Sequence, residues 1–519
     1  MKKLLLMLVA VMATMTAFAN AEDEGWTKSF TPVADKSDLA GVHTAVASDG
    51  SVYVSSTYDQ AFTFAEKSIT DPEGLLSSCI VKYDAEGNEK WAVSLVGACT
   101  INAMTVDADG TLYATGEYTD AVTLSGTSGS KDLSGDFSKT SAFVAKVNAD
   151  GVFTDVASFT PTANLPEGYE DWCELGIYPN KIVIDANKVL VSCMFKGDVA
   201  DLEWQGSYVD VYGMAYMDNR SAGVFMLDKA DLSNPTSVAT IQHTGRIVDQ
   251  MMEDIQDFPN AIDFVVYGGI PHIAFVGWGN LTLTTPAGSQ PFSFEMAGDG
   301  NNEHALVLVN AVAPSQPKIF HASTNSYGGA TYNLVNATLA GTNCILAGTF
   351  YGNFPLDNTV TKEKNTSFVA SIKMSDCSVN WAKANEVASE AKCMIVAGEE
   401  IHAAANEIQK ETVEEKEVEV KIGKHYVFKT ADGTLKKTEE QGFEDADCYN
   451  DEFVSTVAAN ENSVVVFCPK MNPSGINEAQ AQKNGAVKYY NVNGVELSAP
   501  QKGLNIVKTA DGVKKVTVK

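Results

Sequence analysis

Basic residues are scarce in this chain. Its 519 residues include 37 lysines and arginines against 66 aspartates and glutamates, a formal charge of −29. A surface of that sign repels phosphate backbones and anionic membranes, which argues against a nucleic-acid partner. Long apolar runs are missing beyond the amino-terminal stretch, so no transmembrane span is expected. Histidine is thin as well, at seven residues, and none forms an H-E-x-x-H pair. His43, His243 and His304 approach one face from different repeats, while His272 and His402 fall on strands and read as packing residues. There is no G-x-S-x-G elbow and no P-loop. No catalytic residue, metal or cofactor is assigned. With 66 acidic residues, closeness in sequence says nothing about paired carboxylates, so that chemistry stays open.

The amino terminus, "MKKLLLMLVAVMATMTAFANA", carries two lysines, an apolar run and small residues at A-x-A spacing. It reads as a secretory signal peptide over 1–21, followed by an acidic "EDEG". The mature chain is therefore expected to be exported, with its acidity keeping it soluble.

One phrase recurs down the chain. Its versions are "SVYVSSTY" (51–58), "TLYATGEY" (111–118), "KVLVSCMF" (188–195), "PHIAFVGW" (271–278), "NCILAGTF" (343–350), "EIHAAANE" (400–407) and "SVVVFCPK" (463–470). Each follows a short apolar stretch and a turn, the pattern of a β-hairpin. A third strand ("SCIVKYDAEGN", "SAFVAKVNADG") and a shorter fourth ("KWAVSL", "FTDVASF") come after it. Acidic-glycine turns such as "DADG" satisfy turn dihedrals and lack the further oxygen ligands of a calcium loop. Four strands repeated about seven times predict an all-β chain, a β-propeller over 22–473. Seven blades are expected, with "GWTKSFTPV" (25–33) supplying the missing fourth strand of the last; six blades and a stray hairpin are the alternative.

"GSVYVSSTY…CIVKYDAEGNEKWAVSLVG" and "GTLYATGEYTDAVTL…SAFVAKVNADG" resemble the bacterial β-propeller repeat, G-x-x-Y-V-T-G followed by F-V-x-K-Y-D-x-x-G-x-x-x-W. The likeness fades after the second copy. After a linker at 474–485, the tail "YYNVNGVELSAPQKGLNIVKTADGVKKVTVK" is similar to the C-terminal sorting domains of the type IX (Por) secretion system. Tyr490, Asn491, Gly494, Gly503 and the closing "KKVTVK" carry that similarity, although Leu504-Asn505 stands where the family often has an aromatic. The resemblance implies a small C-terminal β domain at 486–519 that addresses the protein to the export machinery and the cell surface. The competing reading makes "GAVKYYNVNG" a third strand of the last blade, with a periplasmic protein if the tail is no sorting signal.

The long inserts fall in the second-to-third and fourth-to-first connections, which share one face of a propeller. Trp172 and Trp204 lie in such inserts, with Tyr208, Asp210, Tyr212 and Arg220 nearby. They are the candidate ligand-binding residues, suited to a sugar or a protein partner. Nine cysteines in an exported chain predict disulfides. The expected pairs are Cys79–Cys99, Cys173–Cys193, Cys344–Cys377 and Cys448–Cys468, leaving Cys393 over. The function expected is a non-catalytic binding scaffold for a glycan or protein ligand. The alternative is a secreted polysaccharide hydrolase or lyase with carboxylates on the axis.

Overall fold

The computed structural model describes residues 25–468, except 60, 71–73, 164–173, 212–213, 220, 244–260, 278, 295–304, 322–331, 355, 358, 414–415, 450–451 and 460–461. Beyond these it describes 488–490, 496–497, 503–509 and 512–518. The chain divides into two compact units, Met1–Met471 and Asn472–Lys519. The second is a small four-stranded antiparallel sheet built from Lys488–Tyr490, Glu496–Leu497, Gly503–Thr509 and Gly512–Val518.

The first compact unit is all-β and propeller-like. Its described strands group into four-stranded antiparallel sheets, here numbered by Roman numerals, each with an inner, second, third and outer strand. Sheet I holds His43–Val46, Val52–Tyr58, Ser77–Tyr83 and Glu89–Val96. Sheet II holds Cys99–Val106, Leu112–Tyr118, Lys139–Val147 and Phe153–Phe159. Sheet III holds Leu175–Asp185, Lys188–Lys196, Ser221–Asp228 and Thr236–His243. Sheet IV holds Ala261–Tyr267, Ile270–Gly277, Ala305–Asn310 and Lys318–His321. Sheet V holds Tyr332–Ala340, Asn343–Asn353, Thr361–Lys373 and Val379–Ala384. Sheet VI holds Ser389–Ala397, Glu400–Val413, Lys416–Lys429 and Leu435–Glu439.

Sheet VII differs in its origin. Asp445–Tyr449, Glu452–Ala459 and Ser463–Cys468 come from the far end, and Trp26–Phe30 from the near end pairs as its outer strand, Trp26 opposite Cys468. The phrase at 463–470 is thus a third strand and not a second one. The inner strand was hidden because "DADCY" reads as a turn, yet its aspartates face the neighbouring sheet and accept backbone hydrogen bonds there.

Burial on both faces explains why the phrase must recur. Val52, Val54 and Tyr58 face sheet VII and pack with Phe30, Val464 and Val466, while Tyr53 packs on the other side with Trp91 and Leu112. A lone blade of this size buries neither face; stacked sheets bury both. The inner strand of each sheet packs against that of the next, and that of VII against that of I.

A turn and tryptophan that recur along the chain form a latch between sheets. Trp26, Trp91 and Trp381, on outer strands, donate their indole N–H to Ala85, Ala149 and Thr430 at 3.0, 3.0 and 3.1 Å. Each acceptor lies in the third-to-outer turn of the following sheet. The glycine of that turn lies under the ring: a Cβ on Gly87, Gly151 or Gly433 would meet the indole at 2.7, 2.9 or 2.5 Å. All three also hold positive φ, so glycine is required twice over.

Candidate functional site

The sequence candidates are placed unevenly. Trp172 and Cys173, Tyr212 and Arg220 lie outside the described residues, as do the side chains of Tyr208 and Asp210. Trp204 is described, and it is core. It is 3% exposed, stacks on Phe195 at 4.8 Å and donates to Ser237 Oγ at 2.8 Å. No face of that ring is left for a sugar.

The same correction extends to the inserts. The one in sheet II forms a hairpin, Val122–Ser125 with Ser130–Leu133, that pairs with the outer strand of sheet I. The one in sheet IV, Gly279–Thr285 with Gly288–Phe294, pairs with the outer strand of sheet III. Phe62 and Phe64 pack beside Phe30, Leu202 and Trp204 beside Phe159, and Phe354 and Leu356 beside Phe320. Each insert therefore covers the outer strand of the preceding sheet. An uncovered outer strand is an open template for another chain, which gives these inserts a structural purpose.

No disulfide joins any two of the eight described cysteines. Cys448 and Cys468 occupy the inner and third strands of sheet VII, with Glu452–Ala459 between them. Two strand spacings are about 9.6 Å, beyond the ~4.4–6.8 Å Cα range of a disulfide. Cys79 packs with Tyr58 at the VII–I junction, whereas Cys99 packs with Leu95 at the I–II junction and donates to Leu95 O at 3.3 Å. Cys344 lies in the IV–V core with Cys377 packed at its margin. Burial raises the Cys79, Cys193, Cys344, Cys377 and Cys393 thiols, the Cys344 thiol to about 12.

Carboxylates near the axis are committed to the frame. Asp445 accepts from the Thr44 N–H at 2.9 Å and lies 3.3 Å from His43; Asp447 accepts from Val46 N–H at 2.8 Å. Asp263, 3% exposed, pairs with Lys181 at 2.9 Å and accepts from Ala337 N–H at 2.6 Å. Bulges help, because an unpaired residue aims its side chain sideways. Bulged Asn102 and Asn180 donate to Pro179 O at 2.9 Å and Ile262 O at 2.6 Å, and bulged Lys392 pairs with Glu444 at 2.5 Å. Inner-strand backbone edges are thus satisfied from the adjacent sheet.

Two features escaped the sequence. The first is a cavity of about 390 Å³ between sheets V and VI, lined by Ala347, Phe368, Val369, Ala403, Ala405 and Phe428 among others. At one end Asn385 donates to the Tyr426 hydroxyl at 2.8 Å, and that hydroxyl donates to Glu407 at 2.5 Å. Burial raises the Tyr426 pKa, and the Glu407 contact adds to it. Cys393 also borders the cavity, with its thiol turned to Phe443 O at 3.9 Å on the VI–VII side. The sequence signal was available: the sixth phrase, "EIHAAANE", has a glutamate where the others mostly end in an aromatic.

The second is a buried chain at the VI–VII junction. Glu439 lies 2.6 Å from His425 Nδ1, and His425 Nε2 lies 2.9 Å from His402 Nδ1. His402 stacks on Phe453 at 4.1 Å and has Glu400 at 3.6 Å from its other nitrogen. Burial and then the neighbouring histidine hold His402 down at about 4, and the His425 hydrogen bond holds Glu439 at about 2. Among the described residues, no group of three or more His, Cys, Asp or Glu is arranged to hold a metal.

No family model and no curated protein matches the chain. Solved structures give slight likenesses. Hydrazine synthase of Kuenenia stuttgartiensis is similar at 11% identity and TM-score 0.40, covering 83% of this chain and 96% of that one. The GH93 alpha-L-arabinofuranosidase of Fusarium graminearum, solved with arabinobiose, is similar at 10% and 0.35, covering 85% and 97%. Bacillus subtilis levansucrase, solved with oligosaccharides, is similar at 10% and 0.30, covering 66% and 86%. Likeness of this degree transfers no activity. Among the described residues no helix is long and apolar enough to cross a membrane.

Proposed function

We propose that this chain is an exported, non-catalytic binding scaffold: a seven-bladed β-propeller closed by the strand Trp26–Phe30, with a sorting-like β domain at its end. Its ligand is a glycan or protein taken on the face of the second-to-third and outer-to-inner connections. The tail hands the protein to the export machinery, and the destination is the cell surface or beyond.

The observation that carries this reading is the commitment of the axial carboxylates. Asp263, Asp445 and Asp447 hold backbone N–H groups of the next sheet, so they serve as pins and not as an acid–base pair. Support for the chosen face comes from Asn385, which follows the outer strand of sheet V at the polar end of the V–VI cavity.

A glycan array probed with the full chain, run beside an activity screen on polysaccharides, tests it. Binding without turnover is expected. Turnover that disappears in Asp445→Asn or Asp447→Asn would replace the scaffold with a hydrolase or lyase. Trp172 is the remaining tryptophan contact proposed, beside Tyr208 and Tyr212; Trp172→Ala should weaken a ligand found on the array by upwards of ~1 kcal/mol. Removing 486–519 should abolish surface delivery, and unchanged delivery would refute the role of the tail.

A further inference from the structure

In sheets I, II, III and V the second strand carries, towards its end, a ring that faces the preceding sheet. These are Tyr58, Tyr118, Phe195 and Phe350, all buried. Tyr58 packs with Phe30 of sheet VII, Tyr118 with Leu95 of sheet I, Phe195 with Phe159 of sheet II, and Phe350 with Phe320 of sheet IV. Sheet VI carries Glu407 at that position, after Ala403, Ala404 and Ala405. The cavity of about 390 Å³ lies beside this position, lined by Ala403, Ala405 and by Tyr426, whose hydroxyl bonds Glu407.

We infer that the V–VI slot binds a free small aromatic molecule, whose ring takes the volume that the other junctions fill with their own side chain. This goes beyond the glycan or protein binding read above and adds a second ligand class at a separate slot. The wall is chemically suited: Phe368, Val369 and Phe428 offer apolar surface and ring edges, and the alanines let a flat group lie close to both sheets. The volume falls in the ~300–1,000 Å³ range of small-molecule sites, larger than a single benzene ring needs. The polar end sets the orientation. Asn385, Tyr426 and Glu407 form a chain of hydrogen bonds ending in an anionic acceptor. A ring bearing an N–H or O–H substituent can place it there, while an aliphatic chain gains nothing from that end.

Indole titrated calorimetrically into the full chain is the test. Saturable binding at one site is expected. Glu407→Phe restores the ring of the other junctions. It should weaken indole at least ~10-fold while its unfolding midpoint stays at or above that of the parent, as cavity filling at a compatible site predicts. Ala405→Leu narrows the same slot and serves if Glu407→Phe does not fold. Absence of saturable binding, or unchanged affinity in the narrowed variants, overturns the inference. Glycan binding accompanied by no indole binding overturns it too, and leaves the scaffold reading standing.

Discussion

At the scale of single residues, the repeat is legible as a set of contacts between neighbours. The glycine of the third-to-outer turn is fixed by its φ and by the indole above it. Gly433 and Gly341 separate the two causes, with φ of +66° and +61°. A Cβ at Gly433 meets Trp381 at 2.5 Å, whereas at Gly341 nothing lies within 4 Å. Gly341→Ala should cost about 1 kcal/mol from backbone strain alone. Gly433→Ala should cost a further ~1–3 kcal/mol for the overpacked ring. Urea unfolding of both variants measures the difference, and equal losses would remove the latch from the explanation.

The histidine chain makes a prediction with a sign. His402 titrates at about 4 in the fold against an ordinary 6.5, so between those values the unfolded chain binds a proton the folded one refuses. Stability falls as pH drops through that window. Glu439, held at about 2 against 4.5, adds a loss below pH 4.5. Asp447 acts oppositely: burial raises it from 3.8 to about 7, so its contribution weakens as pH rises across that range. The groups facing His402 are His425, Glu439, Glu400 and Lys436. Replacing His402 with Asn should shrink the fall in urea midpoint between pH 7 and pH 5. A fall as large as that of the parent would mean His402 does not carry it.

At the scale of elements, the inserts were the least legible feature. Their length suggests binding loops, but their apolar residues alternate as in strands, and the structure lays them over the preceding outer strand. Leu124, fully buried in the strap over sheet I, is a case where sequence marks a strand without saying what it covers. Leu124→Ala should cost about 2–5 kcal/mol and promote concentration-dependent association through the loosened edge. The exposed Leu76, 38% accessible, is the control, expected within about 0.5 kcal/mol. Light scattering with urea titration reads both; matched behaviour would deny the strap its role. Hairpins marked by alternating apolar residues and turn signals were placed correctly in the first six sheets, because local pattern and tertiary burial agree there. In sheet VII they disagree. Asp445 and Asp447 carry the signature of a turn while serving as a strand, since their carboxylates bond to a chain segment some 400 residues away. The cavity was unread for a related reason: it arises from what Glu407 and the alanines fail to fill, which shows only once two sheets face each other.

At the scale of the whole molecule, the proposed closure is tested at one short strand. Trp26–Phe30 pairs with Ser463–Cys468, its first residue latches onto Ala85 of sheet I, and Phe30 stacks on Phe62 at 5.8 Å. It therefore ties sheet VII to itself and to the sheet that follows. Contacts between inner strands run through every junction, so loss of this strand is felt beyond sheet VII. Two truncations distinguish closure from a mere local contact. Removing residues 25–30 strips two large rings and the edge pairing; by analogy with large core truncations, the cost should exceed about 3 kcal/mol. The urea midpoint should fall for the whole body, followed by tryptophan fluorescence and far-UV dichroism together. Removing 472–519 deletes a separate compact unit and should leave that midpoint unchanged. If loss of 25–30 is silent, or if loss of 472–519 is the more damaging, the ring is closed elsewhere and the amino-terminal strand is only an accessory to sheet VII.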